Sequence, residues 1–177
     1  YTPSVFAQLA QVLERAGSVE GRADRPGGSI TGLYSVLVEG DDFSEPICDA
    51  ARGILDGHLM LSRKLAQKGH FPAVDVLDSI SRVAEEVVTP EHSAARRQVL
   101  RMLALYREVE ELVQIGAYVR GSNPECDVAI DFHGAITDLL KQGRGDSGAF
   151  EPALARLSKL AKDTGDRARA AIKGGKG

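Results

Sequence analysis

Ile30-Thr31-Gly32-Leu33-Tyr34-Ser35-Val36-Leu37-Val38 runs almost without polar interruption between Gly28 and Gly40. A short apolar run rich in β-branched residues and bounded by glycines fits a strand buried on both faces. Such strands belong to parallel sheets covered by helices. Upstream, Thr2-Pro3 is a helix-start code, with a hydroxyl at the N-cap and a proline where its missing N–H costs nothing. Val5, Leu9, Val12 and Ala16 continue a helical stripe that Gly17 ends, and residues 18–28 read as a polar loop.

Downstream, Gly40-Asp41-Asp42 is a loop, and Ser44-Glu45-Pro46 opens a helix to about Leu55. His58-Leu59-Met60-Leu61 has the length of a strand. Lys64 to Lys68 reads as a brief helix closed by Gly69. Strand, helix, strand is the rhythm of an α/β domain. Residues 70–88 read as irregular. From Thr89-Pro90-Glu91 the pattern turns helical, with Val99, Met102, Tyr106, Val109 and Val113 at spacings of three and four. Asn123-Pro124-Glu125 repeats the start code for a helix ending near Gln142. Gly143 to Gly148 is a break, and a last helix runs from about Phe150 into a basic tail expected to fray. The division expected is an α/β part over 1–88 and a helical part over 89–177, with too few strands in the first for a sheet of usual size.

Composition narrows the classes of function. The chain has 177 residues, 43% hydrophobic and 27% charged, with a net charge of −3. A dedicated nucleic-acid binder would show a basic excess, so nucleic acid is not an expected partner. No apolar run approaches the roughly 20 residues of a membrane span. Tyr1-Thr2-Pro3-Ser4 resembles neither a signal peptide nor a natural N-terminus, and reads as a cut inside a larger protein. Cys48 and Cys126 lack the close pairing of a redox or metal motif; a disulfide between them competes with two reduced thiols, the reading a cytoplasmic chain favours.

The familiar catalytic signatures are missing. The sequence contains no GxxxxGK[ST] phosphate-binding loop and no HExxH, and His58, His70, His92 and His133 have no metal-ligand spacing. Asp41-Asp42 and Asp75/Asp78 are acid pairs of the kind that hold Mg²⁺, but paired acids on loops more often face water or cap a helix. Arg144-Gly145-Asp146 matches an adhesion tripeptide by chance. Arg82 is the charge of most interest, set among Val74, Val76, Leu77, Ile80 and Val83. Taken alone it reads as the partner of Asp75 or Asp78, and Phe71 as a packed loop aromatic.

Longer strings identify a family. Tyr-Thr-Pro-Ser-Val-Phe-Ala (1–7), Leu-Glu-Arg-Ala-Gly (13–17), Gly-Ser-Ile-Thr-Gly-Leu-Tyr-Ser-Val-Leu-Val-Glu-Gly-Asp-Asp (28–42), Arg-Gly-Ile-Leu-Asp-Gly-His (52–58), Leu-Ser-Arg-Lys-Leu-Ala (61–66) and Gly-His-Phe-Pro-Ala-Val-Asp-Val-Leu-Asp-Ser-Ile-Ser-Arg-Val (69–83) occur in order. From Tyr1 to about Gln142 the chain resembles the flagellar-type (type III) protein-export ATPases, relatives of the head subunits of rotary ATP synthases. The resemblance implies the C-terminal part of an incomplete P-loop-type (RecA-like) nucleotide-binding core, followed by an α-helical domain. The phosphate-binding loop and the residues that handle Mg²⁺ and water would lie upstream of a segment like Tyr1-Thr2-Pro3-Ser4. ATP and Mg²⁺ would therefore be held by the parent protein, and neither by this stretch alone.

By the same resemblance, Arg82 in Ser-Ile-Ser-Arg-Val matches the arginine finger that enters the neighbouring subunit's site. There a guanidinium offsets charge building on the γ-phosphate, an effect typically worth ~10³–10⁵ in rate. Phe71 matches the aromatic that stacks on adenine, and Leu139 stands where relatives often place a second aromatic. Glu39, Asp41 and Asp42 match a loop facing the ring's central channel, where an acidic rim suits a basic partner helix. The implied partners are a homohexamer of the parent, a central-stalk coiled-coil protein, a regulator, an export gate and chaperone–substrate complexes. The implied place is the cytoplasm, at the inner face of the bacterial membrane, with peripheral association only. Ser-Ile-Ser-Arg-Val and Ile-Gly-Ala-Tyr-Val-Arg-Gly-Ser-Asn-Pro (115–124) look more flagellar than virulence-associated. A virulence injectisome ATPase and a non-enzymatic docking module for chaperone or stalk proteins are the alternatives.

Overall fold

Proline stands at the first or second position of α1 (Pro3–Leu13), α2 (Pro46–Ile54), α5 (Pro90–Gln114) and α6 (Pro124–Leu140). Its fixed φ pre-forms the first turn, and its missing N–H is one that no helix could satisfy there. The computed structural model describes residues 2–38 and 45–174. Its other elements are strands β1 (Gly17–Val19), β2 (Gly28–Ile30), β3 (Gly57–Leu61) and β4 (Val74–Ser81), and helices α3 (Arg63–Gln67), α4 (Ala84–Val87) and α7 (Phe150–Gly174). The chain forms two compact units, Tyr1–His58 and Leu59–Gly177.

In the first unit, α1 stops at Leu13, before the glycine expected to end it. Gly17 instead takes φ +149 and opens β1, which pairs antiparallel with β2 in the register Gly17↔Ile30, Ser18↔Ser29, Val19↔Gly28. The segment expected to be a loop is therefore a small hairpin. The strand expected over 30–38 ends at Ile30. Among the described residues no strand pairs with 31–38, and Leu33 and Leu37 are 94% and 93% exposed. A strand buried on both faces needs ladder partners, and among the described residues these have none. The Tyr34 hydroxyl donates to the Val12 carbonyl at 3.3 Å. In α2, Cys48 and Ala51 are buried.

The second unit supplies the expected strand–helix–strand order. β3 and β4 are sheet neighbours, joined through α3, whose N-cap Ser62 accepts from the Leu65 amide. Residues 70–88 are more regular than their sequence suggests, for they contain the eight-residue β4 and the short α4. Asp75 and Asp78 break the apolar alternation that would have marked β4. Both face an arginine from another helix, a partner invisible to local pattern.

The long helices α5, α6 and α7 pack on one another. Thr89 and Asn123 cap α5 and α6 as expected, accepting from the His92 amide and from the Glu125 and Cys126 amides. The core is Val99, Met102, Val128, Ala129 and Ile136, with Phe132, Leu157, Leu160 and Ala161 against it. Met102 and Ile136 are wholly buried. The start of the basic tail does not fray: Ala168 is buried, Ala171 packs on the core, and α7 continues to Gly174. Cys126 is buried in α6, and neither it nor Cys48 forms a disulfide. No described helix is long and apolar enough to cross a membrane.

Candidate functional site

Gly69 closes α3 with φ +68, a left-handed conformation that favours glycine, and the His70 amide returns to the Leu65 carbonyl at 2.9 Å. This turn delivers Phe71, 56% exposed, to the surface just before β4. From the other side, α6 ends at Leu140 and Lys141 takes an extended conformation. The Gln142 amide then donates to the Phe71 carbonyl at 2.9 Å, holding the two segments together.

A second turn follows at once. The Gly143 amide donates to Asp146 Oδ2 at 2.6 Å, the Asp146 amide returns to the Gly143 carbonyl at 3.1 Å, and Gln142 Nε2 donates to the Asp146 carbonyl at 2.7 Å. Between the two turns lies a cavity of about 640 Å³, open to solvent and lined by Gly69, Phe71, Lys141, Gln142, Gly143 and Arg144. That volume lies within the usual range of small-molecule sites. An exposed aromatic face with two cations on the facing segment suits a flat, electron-rich ring carrying anionic groups.

Phe71 is thus on the wall of a cavity. Leu139, half-buried on α6, is not among the lining residues, and the chain beyond the helix forms the opposite wall instead. Lys141 and Arg144 were missed at the sequence level. The available signal was the glycine-rich break beginning at Gly143, directly after a helix that runs back toward Phe71. The Arg-Gly-Asp string falls within it, and its aspartate is the pin of the turn.

Behind the Phe71 segment is a half-buried polar cluster. The His133 ring stacks on Tyr106 with centroids 3.5 Å apart and planes 8° from parallel. Burial pushes His133 below the ordinary imidazole value; Glu110 opposes this, and Lys68 and His70 reinforce it. His70 is lowered for the same first reason, burial, with Lys141 adding to it. Lys68 pairs with Glu110 at 2.7 Å.

Arg82 sits in the turn after β4 and is exposed. Asp75 and Asp78 are both engaged by Arg107 of α5, at 2.5 and 2.8 Å. Asp75 Oδ1 also accepts from the Leu77 and Asp78 amides, so this carboxylate shapes the strand as well as pairing with a charge. Glu39, Asp41 and Asp42 lie outside the described residues. Among the described residues no group of three or more His, Cys, Asp and Glu is arranged to hold a metal ion.

Comparison with known proteins gives two consecutive matches. Residues 1–81 fit the ATP synthase alpha/beta family, nucleotide-binding domain, and residues 88–159 fit the T3SS EscN ATPase C-terminal domain. The chain is 49% identical over 160 residues to a flagellum-specific ATP synthase of Bacillus subtilis, covering 90% of this chain and 35% of that protein. It superposes with TM-score 0.81 and 42% identity on the assembled ATPase EscN of the enteropathogenic E. coli type III secretion system, covering 91% of this chain and 38% of that one. EscN in complex with its central stalk EscO matches with TM-score 0.76 and 40% identity, covering 91% and 36%. The chain thus spans about a third of the length of the relatives it matches. With an α/β segment of the ATP synthase type running into a helical domain of the EscN type, the chain belongs to the flagellar-type (type III) protein-export ATPases, relatives of the rotary ATP synthase head subunits.

Proposed function

We propose that this chain serves as the C-terminal portion of a ring-forming ATPase that couples ATP hydrolysis to protein export through a type III apparatus, in its flagellar form. Residues 1–88 complete the nucleotide-binding core and 89–177 form the helical domain. The observation that carries the reading is the open cavity walled by Phe71 and by Lys141 to Arg144, because Phe71 is the residue that the sequence resemblance assigns to adenine stacking. Its dimensions and its aromatic wall fit a purine base. The parent protein would hold ATP and Mg²⁺ through its phosphate-binding loop, which this sequence does not contain. By itself the stretch would not turn over ATP.

Arg82 acts in trans. An exposed guanidinium in the turn beyond β4 can reach a neighbouring subunit, where its planar fork of donors offsets charge on the transferring phosphoryl group. A finger of this kind makes the ring itself part of the active site, and the assembled state of the relative EscN supports a homohexamer. The complex of that relative with its central stalk supports a stalk partner, met by the loop that carries Glu39, Asp41 and Asp42. A regulator, an export gate and chaperone–substrate complexes would dock on the helical domain. The protein would work in the cytoplasm at the inner face of the membrane, associated peripherally. The similarity to EscN keeps a virulence injectisome as the second reading.

The test is ATP hydrolysis by the complete ATPase and its Arg82→Ala variant, at concentrations where size-exclusion chromatography shows rings. The expected result is intact assembly and nucleotide binding with turnover reduced by about 10³-fold or more. Unchanged turnover in intact rings would overturn the assignment of Arg82.

A further inference from the structure

The cavity is lined by the Phe71 segment and by the chain that follows α6. Opposite Phe71 the wall is the turn Gln142–Asp146, whose three internal hydrogen bonds fix its shape before any ligand arrives. Gly143 leaves room for the Asp146 carboxylate: a Cβ would meet Asp146 Oδ2 at 2.8 Å and Cγ at 3.2 Å, so the aspartate side chain would have to shift. The turn presents Arg144 to the cavity. Among the described residues no carboxylate forms an ion pair with this guanidinium, whereas Asp146, two positions on, is committed to the Gly143 amide.

The geometry points to Arg144 as the second wall of the base site: its guanidinium plane lies on the face of a purine opposite Phe71, and Asp146 is the positioning residue that holds it there. This rests on the reading of the cavity as a nucleotide-base site. Guanidinium and aromatic planes stack favourably, because a delocalised, weakly hydrated cation is attracted to a π face at little desolvation cost. The arrangement does without a second aromatic. Leu139 contributes through the helix end that launches the turn, not by touching the base.

Arg144 and Lys141 could instead bind phosphate oxygens, so the test separates base from phosphate. ADP and inorganic pyrophosphate are titrated calorimetrically into the complete ATPase and into its Arg144→Ala, Arg144→Lys, Asp146→Ala and Phe71→Ala variants. Stacking predicts that Arg144→Ala weakens ADP about two- to five-fold and leaves pyrophosphate unchanged. Arg144→Lys should recover little, because the planar group is gone. Asp146→Ala should weaken ADP less than Arg144→Ala does, with no further loss in the double variant. A purely structural aspartate would instead give additive losses.

Phe71→Ala should weaken ADP by about five-fold or more, again sparing pyrophosphate. If Phe71→Ala has that effect while Arg144→Ala does nothing, the base site stands and the inference about Arg144 fails. If Arg144→Ala weakens ADP and pyrophosphate equally, Arg144 is a phosphate contact and the inference fails. If neither variant changes ADP affinity, the base-site reading and the inference fall together.

Discussion

The backbone amide of Gln142 donates to the carbonyl of Phe71 across 2.9 Å, joining the segment after α6 to the loop before β4. The bond makes the exposed ring of Phe71 and the turn Gln142–Asp146 parts of one rim. Changes in the helical part of this unit can therefore alter the geometry of the cavity without touching any lining side chain.

Gly143→Ala is the most direct perturbation of that rim. The added methyl would come within 2.8 Å of Asp146 Oδ2, so the carboxylate must shift and its bond to the amide at position 143 is weakened. Faster amide hydrogen exchange at Gly143 and Asp146, with protection in the α5–α6–α7 core unchanged, is the expected outcome. Unaltered exchange would show that the turn is held by something other than this pin.

Arg107 bridges Asp75 and Asp78 and so ties α5 to β4. Because Arg107 is about half exposed, solvent screens the pair, and Arg107→Ala should lower unfolding free energy by only about 1 kcal/mol. Asp75→Ala should cost more, about 1–2 kcal/mol, since the Leu77 and Asp78 amides lose their acceptor as well. Asp75→Asn keeps an acceptor oxygen and should fall between wild type and Asp75→Ala. Urea unfolding at low and high salt checks the order, with the arginine effect shrinking at high salt.

His70 and His133 set the response to mild acid. Both imidazoles are held below their ordinary value of 6.5, in each case first by burial. The unfolded chain therefore binds more protons than the folded one in the range just below 6.5, and stability rises with pH there. Stability is complete above that range and declines as pH falls through it toward the lowered values. Glu85, lowered first by its hydrogen bond from Ser93, loses its contribution only below the ordinary carboxylate value of 4.5. Urea midpoints between pH 7.5 and 5 should fall in wild type and flatten in the His70→Asn/His133→Asn variant. An equal fall in both proteins would refute the histidine origin.

Met102 is wholly buried where α5 meets α6 and α7. Met102→Ala removes its side chain from the tightest part of the core and should cost about 2–5 kcal/mol. Thr164, also fully buried, donates to the Leu160 carbonyl at 2.8 Å and accepts from Gln98 Nε2 at 3.4 Å. Thr164→Val keeps the shape but leaves that amide without its acceptor, and should cost about 1 kcal/mol. A Thr164→Val loss as large as that of Met102→Ala would mean that the hydrogen bond, not packing, dominates this contact.

Helix starts were legible in the sequence because their causes are local. Thr89 and Asn123 cap the helices they were expected to cap, within three residues along the chain. Thr2 shows the limit of that logic: its side chain makes no cap bond, and its hydroxyl lies 2.9 Å from Ser4 Oγ instead. Strands were harder to read, because a strand is defined by its neighbour. Ile30 to Val38 has the composition of a buried strand and, among the described residues, no ladder partner beyond Ile30, whereas Val74–Ser81 looked irregular and is a full strand.

The sequence by itself determined the family, through ordered strings that no short motif could match, and it determined the helical frame, through capping groups and apolar spacing that act over one or two turns. Only the tertiary structure decided the site. The rim facing Phe71 comes from residues about seventy positions later, brought there by the packing of α5 and α6 and fixed by a backbone bond that any residue but proline could make at Gln142. An interaction carried by the backbone leaves no signature in side-chain identity, so the glycine-rich break marked a turn after α6, and only the fold put Arg144 on the same cavity as Phe71.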